Sequence, residues 1–458
     1  VLTDGVIQVN GYGDPIGNHR NISREAGRSP NFTAIAHKTY FGSIPDVRIP
    51  LTPVREFVIR LDCNVEDADV DISFNGTSLT PDSNGEYSGT YGTYSITAGK
   101  TGYRCYRRDY IIGDDAEGVQ TFAVEMIATE NAWDGKTVSE PEAIDNIYQL
   151  SSGAELAWFA GHINAKAEGQ NAVLTRDIDL GDYDWTPIGT SANIPYSGVF
   201  NGDGHSISGL YIGNPEASYQ GLFGYLKNGE ISNVTVDGTV SAKQYVGGIA
   251  GMLHDNACID RCVNLAEISG TSYVGGIAGS LSRESSTISN SYNVGNIVAG
   301  SNGGGIVGMS VNTATVENVF SIGNVSGRLA GACVGSAAAL TNIYNAFSIF
   351  EYDNTNGQTL VTEEQMRSGE IAYRLGEAFG QEIGVDAHPV LGGKTVMYDE
   401  TENRYYNEPV TGISDILVPT KNCNAVYYNL DGTASRRPHT GINIIRTTDG
   451  SIRKVVIR

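Results

Sequence analysis

The chain has no apolar run approaching the roughly 18 residues that a membrane-spanning helix requires. Cysteine is scarce, and six in 458 residues exclude a disulfide scaffold. Positive charge is also short: 30 Lys and Arg against 52 Asp and Glu leave a net charge of −22, which repels nucleic acid and anionic membrane. The seven histidines are dispersed with no pair at metal-ligand spacing, so zinc chemistry is not indicated. No Gly-x-Ser-x-Gly elbow occurs. Three Gly-Lys-Thr triplets, at 99–101, 135–137 and 393–395, lack the preceding glycine of a phosphate loop; Tyr94, Glu130 and His388 stand in its place. These absences leave no cofactor to expect and no catalytic residue to name, and the sequence reads as a protein that is not an enzyme.

What the chain does have is repetition. The run Tyr245-Val246-Gly247-Gly248-Ile249-Ala250-Gly251 returns as Tyr273-Val274-Gly275-Gly276-Ile277-Ala278-Gly279, then altered as Gly304-Gly305-Ile306-Val307-Gly308. The closing glycines Gly224, Gly251, Gly279, Gly308 and Gly335 step by 27, 28, 29 and 27 residues. A second motif starts at Ile231, Ile259, Ile288, Val316 and Leu340 on the same beat. It defines columns: Asn233, Arg261, Asn290, Asn318 and Asn342; Thr235, Val263, Tyr292, Phe320 and Tyr344; and Val240, Ile268, Ile297, Val325 and Ile349.

Two short aliphatic segments per repeat, broken by Gly and Asn, specify strands and tight turns, and no 3.6-residue periodicity fills a copy. Parallel stacking would place like residues over like about 4.8 Å apart, so that Asn columns hydrogen-bond and aromatic columns pack. The expected fold is all-β: a right-handed parallel β-helix with helical caps, preceded by a small β-sandwich and followed by a small C-terminal β domain.

Five regions follow. Residues 1–53 remain unassigned. Residues 54–131 alternate as a small β-sandwich of about seven strands, with an Asn75-Gly76 turn; Cys63 and Cys105 are candidates to face each other there. Residues 132–350 form the β-helix with its N-terminal cap. In that cap Ser152 and Glu155 make a capping box, and Leu156, Phe159, Ala160 and Ile163 make one helical face laid over the open end. Cys258, Cys262 and Cys333 sit in its columns as small buried hydrophobes. Residues 351–411 are the C-terminal cap, with a second capping box from Thr362 to Gln365, a helix through Leu375, and 381–391 as the far lid. Residues 412–458 carry two hairpin signals, Asp431-Gly432 and Asp449-Gly450; from Lys421 to Arg458 the net charge is +5, leaving −27 on the remainder. The chain begins at Val1 without a Met, which is compatible with removal of a signal peptide or lipoprotein leader but does not show it.

The Val-Gly-Gly-Ile-Ala-Gly copies resemble the GLUG repeats of bacterial surface proteins described as adhesins, haemagglutinin-like proteins or peptidase-associated regions. The entry run 174–180 with Trp185-Thr186-Pro187-Ile188-Gly189, and the exit 384–391, are similar to that family's, so the likeness covers residues 140–410. The stretch 92–103 resembles PEGA-type spacer modules, and 426–458 resembles C-terminal domains of exported Bacteroidetes proteins. The resemblance implies a secreted or outer-membrane-attached adhesin. Its partners would be a host glycan or a matrix or surface protein, with export machinery engaging the tail. The implied binding sites are the coil-edge loops 253–257, 281–286 and 309–313. Alternatives are a β-helix polysaccharide lyase or glycoside hydrolase, and a purely structural envelope protein.

One cluster suggests a metal. Asp177, Asp179, Asp182 and Asp184 place alternate carboxylates on one strand face, suiting a solvated turn, structural calcium or carboxylate catalysis. Asp203 and His205 follow in the next coil. The column of Tyr292, Phe320 and Tyr344 is expected to pack inside the solenoid, although exposed aromatic columns suit sugar faces.

Overall fold

The computed structural model describes residues 56–113, 116–166, 169–283, 285–353, 356–392, 396–397 and 405, with four strands of the tail. The unassigned segment 1–53 lies outside the described residues. The chain divides into two units, Val1–Ala98 with Tyr106–Met126, and Gly99–Cys105 with Ile127–Arg458.

In the first unit seven strands make two sheets. One orders Tyr87–Gly89, Phe57–Cys63 and Val119–Val124; the other orders Thr77–Ser78, Asp69–Phe74, Gly92–Gly99 and Tyr106–Ile112. Alternation sends Phe57, Ile59, Tyr94 and Ile96 inward. The Tyr94 ring lies 4.9 Å from Phe74 and 5.8 Å from Phe122. Asn75 and Gly76 both have positive φ, 50° and 76°, as a two-residue hairpin turn requires. The strand Tyr106–Ile112 escaped the sequence reading because Arg107, Arg108 and Asp109 interrupt its apolar pattern, which an edge strand tolerates. Cys63 is a free thiol, so the pairing with Cys105 is not formed.

The second unit is a parallel β-helix. Ile231 pairs with Ile259, Ile259 with Ile288, Ile288 with Val316, and Val316 with Ile343, all in parallel register. The stack begins one rung earlier than the first two coils read from the sequence, because Ile147–Leu150 pairs in parallel with Asn171–Leu174. A two-residue antiparallel strand, Ala143–Ile144, covers that first edge. Helix α1 (Gly153–Lys166) buries Leu156, Phe159, Ala160 and Ile163 in the same core as Leu150, Ala172 and Leu174. Ser152 Oγ accepts the Glu155 N–H, but the Glu155 carboxylate accepts from Ser151 rather than closing the box on Ser152.

The repeat glycines have a steric cause. At the corner between a long strand and the next wall strand, a Cβ on Gly248 would sit 1.9 Å from Asn264 Oδ1, and one on Gly276 would sit 2.4 Å from Asn293 Oδ1. Asn264 and Asn293 are fully buried and form a ladder across the coil interior, Asn264 Nδ2 donating to Asn293 Oδ1 at 2.7 Å. A buried amide must find partners, and the side-chain-free corner makes room for it.

The turn column also has a local reason. Asn233, Arg261, Asn290, Asn318 and Asn345 all have φ between 47° and 54°, or 48° for the last, a left-handed region that Asn enters most readily of the non-glycine residues. Asn345 donates to Asn318 and Asn318 to Asn290, at 2.9 and 3.2 Å. The last copy is therefore shifted from the reading: Ile343, Asn345 and Phe347 hold the places assigned to Leu340, Asn342 and Tyr344. Starting at Leu340 would have shortened that coil to 24 residues, off the period of the other copies.

The aromatic column faces outward, not into the solenoid. Val319 belongs to the interior core and its neighbour Phe320 to a second core with Val263, Tyr292 and Phe347. That second core is closed by helices α2 (Glu363–Ser368) and α3 (Glu370–Leu375) together with Phe379. The C-terminal cap is thus a plate on the flank of the coils, not an axial lid. The Thr362–Gln365 capping box is present, but the single expected helix breaks at Gly369, where φ is 89°. Tyr344 is 39% exposed and outside this core. Cys262 and Cys333 are buried free thiols as expected, whereas Cys258 is disulfide-bonded. In the tail, Val426–Tyr428 pairs with Ala434–Ser435 and Gly441–Arg446 with Ile452–Ile457, antiparallel. These pairs flank the two Asp-Gly dipeptides, which themselves lie outside the described residues.

Candidate functional site

The four aspartates do not converge on a metal. Arg104 donates to Asp179 at 2.9 Å and to Asp182 at 2.8 Å, so one guanidinium spans the two carboxylates. Asp177 lies apart, its Oδ1 accepting the Ser206 N–H at 2.8 Å and standing 3.4 Å from His205 Nδ1. The Ser206 N–H, more than His205, holds the Asp177 carboxyl below its ordinary range. Asp184 is exposed, and among the described residues no three His, Cys, Asp or Glu side chains form a metal-binding group. The structure therefore does not gather Asp177, Asp179, Asp182 and Asp184, the calcium candidates, into one site. Sequence spacing showed the acids but not Arg104, which arrives from 75 residues away.

A different surface gathers the functional groups. The wall of Phe223–Lys227, Ala250–His254, Ala278–Ser282, Val307–Ser310 and Val334–Ala337 is a five-stranded parallel sheet. Its alternation sends Leu226, Leu253 and Leu281 into the core and Tyr225, Met252, Ser280 and Met309 to the outer face. Over that face lies a ladder of half-buried tyrosines, Tyr219, Tyr245 and Tyr273, one per coil. The ring centroids stand 5.0 Å apart at both steps, with interplanar angles of 10° and 23°.

All three tyrosines hold φ between 56° and 60°, uncommon for a bulky residue, and the turn swings each ring back over the wall. Tyr219 meets Tyr225 edge-on at 5.4 Å, and Tyr225 reaches His254 at 5.6 Å. Burial pushes the Tyr225 phenol up to about 12 and raises that of Tyr245, so both are neutral at physiological pH. Among the described residues none of the three ladder hydroxyls has a hydrogen-bond partner.

At the far end of the wall strands lie the expected coil-edge loops. Asp255, Asn256, Arg283, Ser285 and Asn312 all take positive φ there. Asp255 Oδ2 stands 3.0 Å from His254 Nδ1 and 3.7 Å from Lys227 Nζ. Arg283 is exposed. Tyr245 and Tyr273 open the two repeated runs, yet none of the columns read from the sequence contains them, and Tyr219 lies in Ser218-Tyr219-Gln220-Gly221, which departs from the motif.

Comparison with known proteins adds the following. No family model matches the chain. A protein of Evansella cellulosilytica named "Putative Gly-rich membrane protein" is 31% identical over 119 residues, 24% of this chain, which spans 13% of that relative's length. A Bacteroides ovatus structure named as a "putative immunoglobulin A1 protease" is 20% identical, with a TM-score of 0.43 over 56% of this chain and 95% of that one. A second solved structure, named IgA1 Protease, is 11% identical with a TM-score of 0.28, over 84% of this chain and 39% of the other. The expectation that the chain is not an enzyme is corrected by these two protease names, and it is withdrawn. At these scores the likenesses assign no active site.

Proposed function

We propose that this chain is the shaft of a secreted or surface-displayed, adhesin-like protein of the GLUG-repeat type. On this reading it holds a host glycan or matrix protein on the tyrosine-lined wall and its coil-edge loops. The observation that carries this is the half-buried ladder Tyr219, Tyr245 and Tyr273 on the same wall as loops that differ in sequence while the strands beneath them repeat. Phenol edges and mixed charges on one face suit a polar ligand built of rings. Main-chain pairing along the whole axis leaves few open edges, so such a shaft withstands proteolysis. The N-terminal sandwich serves as a spacer, and the basic tail engages export machinery or holds the chain at the outer membrane.

The test is a glycan and matrix-protein array probed with the chain and with a variant whose loops 253–257, 281–286 and 309–313 are short Gly-Ser turns. Immunoglobulin A1 is included, scored for cleavage as well as retention, because both solved neighbours carry that protease name. Saturable binding that disappears in the loop variant supports the proposal. Binding unchanged by the swap refutes the loops as the binding site, and no binding on any surface refutes the proposal in favour of a structural envelope role.

A further inference from the structure

The C-terminal end of the shaft is finished by side chains standing in the place of a coil. Along one wall the Ile268 N–H donates to the Asn296 carbonyl at 3.0 Å, and the Ile297 N–H to the Asn324 carbonyl at 2.8 Å. The next step calls for a carbonyl at residue 352, since 296, 324 and 352 are spaced by 28 residues. The Val325 N–H instead donates to the Tyr352 hydroxyl, at 2.8 Å. At the corner the Ile277 N–H donates to Ile306 O and the Ile306 N–H to Cys333 O, at 3.0 and 2.8 Å. The Cys333 N–H then donates to Gln358 Oε1 at 2.8 Å. In the five-stranded wall Val334–Ala337 is the outermost strand, and Val334 O accepts from Asn356 Nδ2 at 2.9 Å.

Three side chains from the segment 352–358 thus replace the main chain of a further coil. The remaining edge, Asn342–Ser348, pairs onward with only two residues, Thr359–Leu360. A bare parallel edge offers unpaired N–H and C=O groups on which another strand can build. A hydroxyl or amide side chain satisfies those groups yet offers no main chain for a further strand. Charge is the other common guard of an edge, and it is nearly missing here. Between Val325 and Ser348 the single charged residue is Arg328, in a chain of net charge −22. The opposite end is closed differently, by the antiparallel strand Ala143–Ile144 and by α1.

We infer that the segment 352–358 is an autoinhibitory cap, and that the partner it keeps off is a second copy of this chain. The excluded contact is end to end, C-terminal coil against C-terminal coil about a two-fold axis. Only another coil presents main chain along several walls at once, and the N-terminal coil is already covered. In that arrangement the edge strands meet antiparallel, and the assembly closes at two copies. The inference is independent of what the shaft binds.

The test compares the full chain with the triple variant Tyr352→Phe, Asn356→Ala and Gln358→Ala, by sedimentation and light scattering across a concentration series. Expected is a native chain that stays at 48.8 kDa and a triple variant whose mass doubles with concentration. Hydrogen exchange at the Val325 and Cys333 amides is about tenfold faster in the dilute variant, the worth of one ordinary hydrogen bond, and slows again as the variant associates. That recovery distinguishes an uncovered interface from a merely local loss. Adding Ser326→Lys, at an exposed position of the edge strand Val325–Ser326, places a charge on the edge and returns the triple variant to monomer. A folded triple variant that remains monomeric at every concentration overturns the inference. So does doubling that survives Ser326→Lys, a mass that climbs past two copies, or a native chain that already doubles and is made monomeric by Ser326→Lys. Should the triple variant unfold, Asn356→Ala alone, which leaves the Tyr352 and Gln358 bonds in place, decides by the same criteria.

Discussion

The steric partnership between corner glycines and buried asparagines predicts a rescue. In Gly248→Ala the new methyl group would lie 1.9 Å from Asn264 Oδ1 and 2.6 Å from its Cγ, with the Gly276 carbonyl next at 2.8 Å. Overpacking of this kind costs about 3 kcal/mol when the neighbour cannot yield. Asn264 cannot yield cheaply, because Nδ2 donates to Ala266 O at 2.9 Å and to Asn293 Oδ1 at 2.7 Å inside a fully buried column. Asn264→Ala alone strands the Ala266 carbonyl and the Asn293 amide oxygen, for about 2–3 kcal/mol. In the double variant the two nearest clash atoms are gone, leaving only the 2.8 Å contact to the Gly276 carbonyl.

The double loss should therefore fall below the sum of the singles by about 2 kcal/mol, a coupling expected only of residues in contact. Hydrogen exchange of the amides in strands Thr235–Gly247 and Glu267–Gly275 is the suitable assay, since it reads opening coil by coil where a repeat array departs from two-state unfolding. Additivity within about 0.5 kcal/mol would show that the corner glycine is there for some other reason.

Glu230 is pushed up to about 7 from 4.5, by burial first and then by Asp260, so the folded chain binds its proton more tightly than the unfolded one. Stability from this group is complete below about pH 4.5 and is lost as the pH rises through 7. Glu230→Gln should thus stabilise by about 1–3 kcal/mol at pH 8 and by nothing at pH 4, as thermal melts across that range would reveal. Phe320 is fully buried between the Tyr292 ring, stacked at 4.6 Å, and Phe379 at 5.9 Å. Phe320→Ala should cost about 3–5 kcal/mol and open the helical plate first, seen as early proteolytic cleavage between residues 361 and 391; uniform resistance would count against a flank-mounted plate. Gly369→Ala meets both a φ of 89° and Val396 Cγ1 at 2.3 Å, so a loss of about 1–3 kcal/mol is expected, with an unchanged melting curve as the contrary result.

Much of the shaft was legible because a parallel stack forces equivalent residues into register, so the repeat in sequence is the repeat in space. Reading failed where two registers fitted locally. Leu340-Thr341-Asn342 and Ile343-Tyr344-Asn345 both place an aliphatic residue two before an asparagine, and only the stack selects the second. The coil-edge loops were legible as breaks in the repeat, whereas the surroundings of the acids were not. Aspartates at 177, 179, 182 and 184 look like a cation site until Arg104 is seen to occupy it. The protease names attached to the solved neighbours likewise lay beyond anything the residues spell out.

By itself the sequence determined the period, the strand-and-turn content and the helix laid over the first coil. Each of these is set by residues within one repeat or by identity between repeats. Tertiary structure alone decided that the Tyr292 and Phe320 column faces out beneath α2 and α3, that Arg104 neutralises two aspartates, and that three tyrosines fold back over one wall. The physical reason is the same in each case: the partner lies many residues away, or the side chain's direction depends on a backbone angle that residue type alone does not dictate.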